Sequence, residues 1–75
     1  MEATKLVRMA NQIGQFFASQ RGADPSIAIA DHLRKFWEPR MRRQLYGYVD
    51  GPHAGAGLSP LVREAVTVWR ARLEP

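Results

Sequence analysis

The sequence predicts an all-α fold, a small compact helical bundle of three main helices plus one short helix, in a single domain over residues 1–75. Three observations predict it. Apolar residues recur at the i, i+3, i+4, i+7 spacing of a helix face in successive segments, and no stretch alternates as a strand would. Proline follows Asp24, Glu38 and Ser59, each time where a helical period begins; the first helical position tolerates its missing N–H. Finally, 75 residues with no cysteine leave room for one core and no disulfide to brace it, which favours a partner subunit or self-association of the isolated chain.

The first helix is predicted over residues 4–19, where Leu6, Met9, Ala10, Ile13, Phe16 and Phe17 share a face. Val7, Ala10, Gly14 and Phe17 form a second seam beside it. The apolar stripe is therefore broad, and Gly14 admits a close neighbour, while Lys5, Arg8, Gln12, Gln15 and Ser19 face water. Gln20-Arg21-Gly22-Ala23 ends the pattern. Asp24 then offers an N-cap carboxylate and Pro25 a first helical residue for a helix over residues 25–37. Its apolar positions are Ile29, Ala30, Leu33, Phe36 and Trp37, and Asp31 stands four residues before Lys35, a pairing distance on the wet side.

Pro39 disfavours the α conformation at Glu38, so the chain turns at Trp37-Glu38 and restarts as a short helix over residues 39–48. Met41, Leu45 and Tyr48 fall on one face of it, Arg40, Arg43 and Gly47 on another, and Asp50-Gly51-Pro52 is its stop. The stretch from Gly51 to Leu58 holds three of the six glycines and reads as a flexible loop. Ser59-Pro60 repeats the cap-plus-proline signature. The last helix, over residues 60–74, carries its stripe on Leu61, Val62, Ala65, Val66, Trp69 and Leu73.

Composition excludes several function classes. Without cysteine there is no thiol nucleophile and no Cys-ligated zinc or iron–sulfur site. No apolar run approaches the roughly 18 residues of a membrane-spanning helix, and the start of the chain lacks a signal-peptide apolar region, so the chain reads as cytoplasmic. The net charge of +4 suits an anionic partner without naming one.

The glycine-rich loop lacks the Lys-Ser or Lys-Thr of a phosphate-binding loop, since Leu58 follows Gly57. His32 and His53 stand in different segments with no carboxylate cluster, so no metal site is expected. Asp31 and His32 are adjacent, point apart on a helix, and form no catalytic dyad; no catalytic residue is assigned.

The strongest local feature runs from Leu33 to Arg43 and packs five basic residues and two aromatics around a helix break. Solvated basic flanks on two apolar stripes would look the same. A helix-turn-helix-like reading of the segment from Arg34 to Arg43 would aim Arg40, Arg42 and Arg43 at a nucleic-acid groove. A protein interface uses the same ingredients, because Trp, Met and Arg are enriched there.

Three ordered blocks carry a resemblance: Leu6-Val7-Arg8-Met9-Ala10-Asn11-Gln12-Ile13-Gly14, the run from Ile29 through Phe36-Trp37-Glu38-Pro39-Arg40-Met41 to Arg42, and Gly57-Leu58-Ser59-Pro60-Leu61-Val62-Arg63-Glu64-Ala65. With them the chain resembles the small delta subunit of soluble, NAD-dependent, molybdenum-containing formate dehydrogenases. The family often has Asp before the proline, where this chain has Glu38, a poorer cap.

The resemblance implies a non-catalytic accessory subunit with no cofactor of its own. The parent complex would carry a molybdenum–pterin cofactor, iron–sulfur clusters, FMN and an NAD site on other subunits. It implies the catalytic subunit as partner, and Trp37, Arg40, Met41, Arg42 and Arg43 are the expected partner-binding residues, with Leu33 and Phe36 assigned to the core. The alternative is a small basic nucleic-acid-binding protein, for which affinity would fall steeply with salt.

Overall fold

The computed structural model describes residues 2–20 and 24–74; Arg21, Gly22 and Ala23 of the stop expected after the first helix lie outside the described residues. In chain order the elements are α1 (Ala3–Ala18), α2 (Pro25–Phe36), α3 (Pro39–Asp50), α4 (Pro60–Thr67) and α5 (Arg70–Leu73). The fold is all-α, with no strand among the described residues.

α2 lies at the centre and packs against each of the other four helices. Its buried row, Ser26, Ile29, Ala30 and Leu33, continues into Trp37 and meets Leu6 and Ala10 of α1, Leu45 of α3, Val62, Ala65 and Val66 of α4, and Leu73 of α5. Each fully buried Leu, Ile or Val contributes about 1.5–3 kcal/mol relative to exposure. The close approach expected at Gly14 is present. A Cβ there would stand 2.7 Å from Val62 Cγ2 and 3.2 Å from Ser59 Oγ, so the missing side chain is what lets α4 start against α1.

Helix starts follow the sequence signals. Asp24 accepts from the Ser26 N–H at 2.9 Å, with Pro25 at the first position of α2. Ser59 Oγ faces the Val62 N–H at 3.5 Å at the start of α4, while Glu38, with its longer side chain, makes no capping bond to α3. Glu38 is extended (φ −64°, ψ 150°), as the following proline requires.

Four expectations need correction. The last helix is not continuous over residues 60–74 but breaks at Val68-Trp69. The β-branched run Val66-Thr67-Val68 weakens the helix there, Thr67 Oγ1 donates back to the Arg63 carbonyl at 2.8 Å, and the turn lets the Trp69 indole N–H reach Ser26 Oγ at 2.9 Å. Asp31 pairs with Arg72 rather than Lys35, because α5 brings a guanidinium into two-point contact (both 3.0 Å) that a lysine one turn away cannot match.

Phe36, assigned to the core with Leu33, is 65% exposed, and Phe16 of the α1 stripe is 59% exposed. Both sit at the edge of their helix's apolar row, beyond the cover of the neighbouring helices. The loop after α3 is not slack. Its turns are tied by the Gly55 N–H to Tyr48 O (3.0 Å), by Arg63 to the carbonyls of Ala54 and Gly55 (2.6 and 3.0 Å), and by Asn11 Nδ2 to Gly57 O (2.9 Å). Gly55 and Gly57 adopt φ of +72° and +88°, a region a side chain disfavours.

Candidate functional site

The basic segment around the α2–α3 turn divides into an inner and an outer set. Trp37, extended at ψ 138°, ends α2 and is only 6% exposed. Arg42 is 8% exposed. Its Nη1 donates to the carbonyls of Arg34 (2.7 Å) and Trp37 (2.9 Å), which the end of α2 leaves without helical partners. These two side chains build the turn. Arg40 and Arg43 lie on the outer side of α3, exposed and without an ion pair among the described residues, and Met41 is half-buried beside them. The structure thus brings the five residues into one turn but presents chiefly Arg40, Arg43 and part of Met41 to solvent.

Beside Arg42 a recess of about 470 Å³ opens between α3 and α5, lined by Arg43, Tyr46, Asp50, Arg70 and Glu74 among others. Its charges largely compensate one another. Arg70 grips both oxygens of Asp50 (2.8 and 3.0 Å) and lies over the Tyr46 ring at 4.5 Å. The hydrogen bonds from Arg70 hold the Asp50 carboxyl below the usual carboxylate range, and burial pushes the Tyr46 phenol above its ordinary value. Arg42 Nε and Tyr46 Oη at its base are buried without hydrogen-bond partners.

A second surface was not singled out by sequence reasoning. Met9, Gln12, Ile13, Phe16 and Phe17 of α1 and His32 of α2 enclose an open, mainly apolar groove of about 290 Å³. Rings follow in series, Phe16 to Phe17 at 5.1 Å and Phe17 to His32 at 5.6 Å along the groove, with Phe36 beside it at 4.7 Å from His32 between centroids. The signal available in the sequence was the breadth of the α1 stripe, more apolar residues than one bundle interface can cover.

No group of three or more His, Asp or Glu side chains is placed to hold a metal ion among the described residues, and iron–sulfur ligation needs the thiolates this sequence lacks. No described helix is long and apolar enough to cross a membrane.

Fold and surface together define a small all-α domain with outward-facing arginines and exposed aromatics. The chain belongs to the NADH-dependent formate dehydrogenase delta subunit family, FdsD, whose sequence model matches residues 5–66, from the first turn of α1 into α4. No curated protein and no solved structure matches it.

Proposed function

We propose that this chain is a non-catalytic accessory subunit that binds the catalytic subunit of an NADH-dependent formate dehydrogenase in the cytoplasm, and stabilises the assembled enzyme or assists its assembly or cofactor loading. Membership of the delta subunit family over residues 5–66 carries the reading. The molybdenum–pterin cofactor and iron–sulfur clusters then reside on the catalytic subunit, and FMN and the NAD site on further subunits. A chain that binds one state of its partner in preference to another stabilises that state by mass action and needs no chemistry of its own.

The docking edge in this reading is the outer side of the first turns of α3. Arg40 and Arg43, three residues apart, share a face and offer planar guanidinium donors to carboxylates, with Met41 as an adaptable apolar contact between them. Trp37 and Arg42 contribute by holding that edge in shape.

The test is co-purification of the tagged chain with the enzyme's subunits, with molybdenum analysis of the product. Arg40→Glu with Arg43→Glu is expected to abolish co-purification while leaving helix content by circular dichroism unchanged. Undiminished co-purification moves the contact elsewhere. Stoichiometric retention in active enzyme favours the stabilising role, and loss on maturation the loading role. Recovery of nucleic acid instead, with affinity falling steeply with salt, overturns the reading.

A further inference from the structure

The groove between α1 and α2 has no occupant among the described residues. Phe16 and Phe36 are 59% and 65% exposed, among the largest exposed hydrophobics of the described residues, and a chain of ring contacts through Phe17 and His32 links them. Aromatic side chains that line a concavity are the anchors from which interface affinity is built.

Cations outnumber carboxylates around this face, with Glu2 at the start of α1 the acidic residue on that row. Lys5 lies on the same α1 row as Met9, Gln12 and Phe16, at spacings of four, seven and eleven residues, and Arg8 lies one turn before Gln12. On α2 the ammonium of Lys35 lies 5.7 Å from the Phe36 ring centre. None of these three cations makes an ion pair among the described residues. No carboxylate lines the groove, and the nearest along α2, Asp31, is engaged by Arg72. A second copy would bring the same excess of positive charge to this face, which disfavours it as occupant.

We infer that this groove is a docking surface, distinct from the α3 edge, for an acidic amphipathic helix of another subunit of the enzyme, its apolar side seated on Phe16, His32 and Phe36 and its carboxylates facing Lys5, Arg8 and Lys35. The inference rests on the accessory-subunit reading. A helix fits the shape because its one-turn repeat of apolar side chains matches an elongated groove between two helices. The flanking cations act mainly on encounter rate and partner choice, and the rings on residence time.

The experiment titrates the purified full-length chain into the enzyme prepared without it. Wild-type binding is expected, and its absence overturns both the reading and the inference. Phe16→Ser with Phe36→Ser is expected to weaken binding at least tenfold with helix content by circular dichroism retained, because both rings stand largely in water. Unchanged affinity, alongside loss of binding in the Arg40→Glu, Arg43→Glu variant, overturns the groove and leaves the reading standing. Reversal of Lys5, Arg8 and Lys35 to Glu is expected to weaken binding at least tenfold at low salt, and no effect overturns the acidic character of the partner helix. Sedimentation of the isolated chain is expected to show a monomer; a dimer that dissociates in the two-phenylalanine variant makes a second copy the occupant and overturns the inference.

Discussion

The guanidinium of Arg42 in α3 donates to the main-chain carbonyl of Arg34 in α2 at 2.7 Å, eight residues back across the helix break. The same nitrogen holds the Trp37 carbonyl at 2.9 Å. A cation from the next helix thereby satisfies the end of α2, where the helix dipole favours positive charge. Arg42→Ala leaves two carbonyls unpaired, that of Trp37 buried, and is expected to destabilise the chain by about 2–3 kcal/mol. Arg40→Ala and Arg43→Ala, on the outer side of the same helix, are expected to stay within about 0.5 kcal/mol of wild type. Urea midpoints of the three variants check this contrast, and equal losses would refute the division into inner and outer arginines.

Two glycines in helices give opposite expectations. Replacement of Gly14 by Ala gains about 1 kcal/mol of helix propensity but drives a methyl to 2.7 Å from Val62 Cγ2, a buried branched side chain that cannot swing aside. Overpacking of this kind costs about 1–3 kcal/mol, so a net loss is expected. At Gly47 an added Cβ meets nothing within 4 Å. Gly47→Ala is therefore expected to stabilise by about 0.5–1 kcal/mol. Thermal melts of the two variants, shifted in opposite directions, are the check.

These residues also show what was legible in the sequence. Helix starts were, because Asp24-Pro25, Glu38-Pro39 and Ser59-Pro60 act locally, and so was the close approach at Gly14. Arg42 and Arg43 are adjacent in sequence and alike in chemistry, and only the position of the α2 terminus decides that one is spent inside and the other faces out. The Asp31–Arg72 pair and the Trp69–Ser26 bond that fixes the turn at Val68-Trp69 join residues 41 and 43 apart, which no local pattern encodes, although the β-branched run before that turn was there to be read. The groove escaped notice because an apolar stripe reads alike whether a neighbouring helix covers it or not.

Ser26 joins three parts of the fold. Its hydroxyl donates to Asp24 Oδ1 at 2.7 Å and accepts from Trp69 Nε1 at 2.9 Å, linking the α2 cap to the turn before α5 from a fully buried position. Ser26→Ala removes the acceptor of the indole N–H and is expected to cost about 1–3 kcal/mol. Trp69→Phe keeps most of the bulk and drops the donor. If the two side chains act through this bond, the double variant loses less than the sum of the singles, with a coupling of at least about 0.5 kcal/mol. Strict additivity would show that the bond contributes nothing to stability.

Acid stability follows from two carboxylates. The hydroxyl and then the N–H of Ser26 hold Asp24 below its ordinary pKa, and Arg70 does the same for Asp50. With the folded pKa depressed, the unfolded chain binds more protons in the acid range, so these contributions are fully present above the unfolded carboxylate value of about 4 and are lost as pH falls through the folded values. Both groups are solvent-exposed, and the Asp50–Arg70 part shrinks further as salt screens it. Melting temperature is therefore expected to be flat with respect to these two groups from pH 7 to about 5 and to drop below about 4. Asn is as good a cap as Asp but does not titrate in this range. Asp24→Asn with Asp50→Asn is accordingly expected to flatten the acid limb while leaving the fold intact at pH 7. An acid limb of undiminished slope in that variant would assign the pH dependence to other carboxylates.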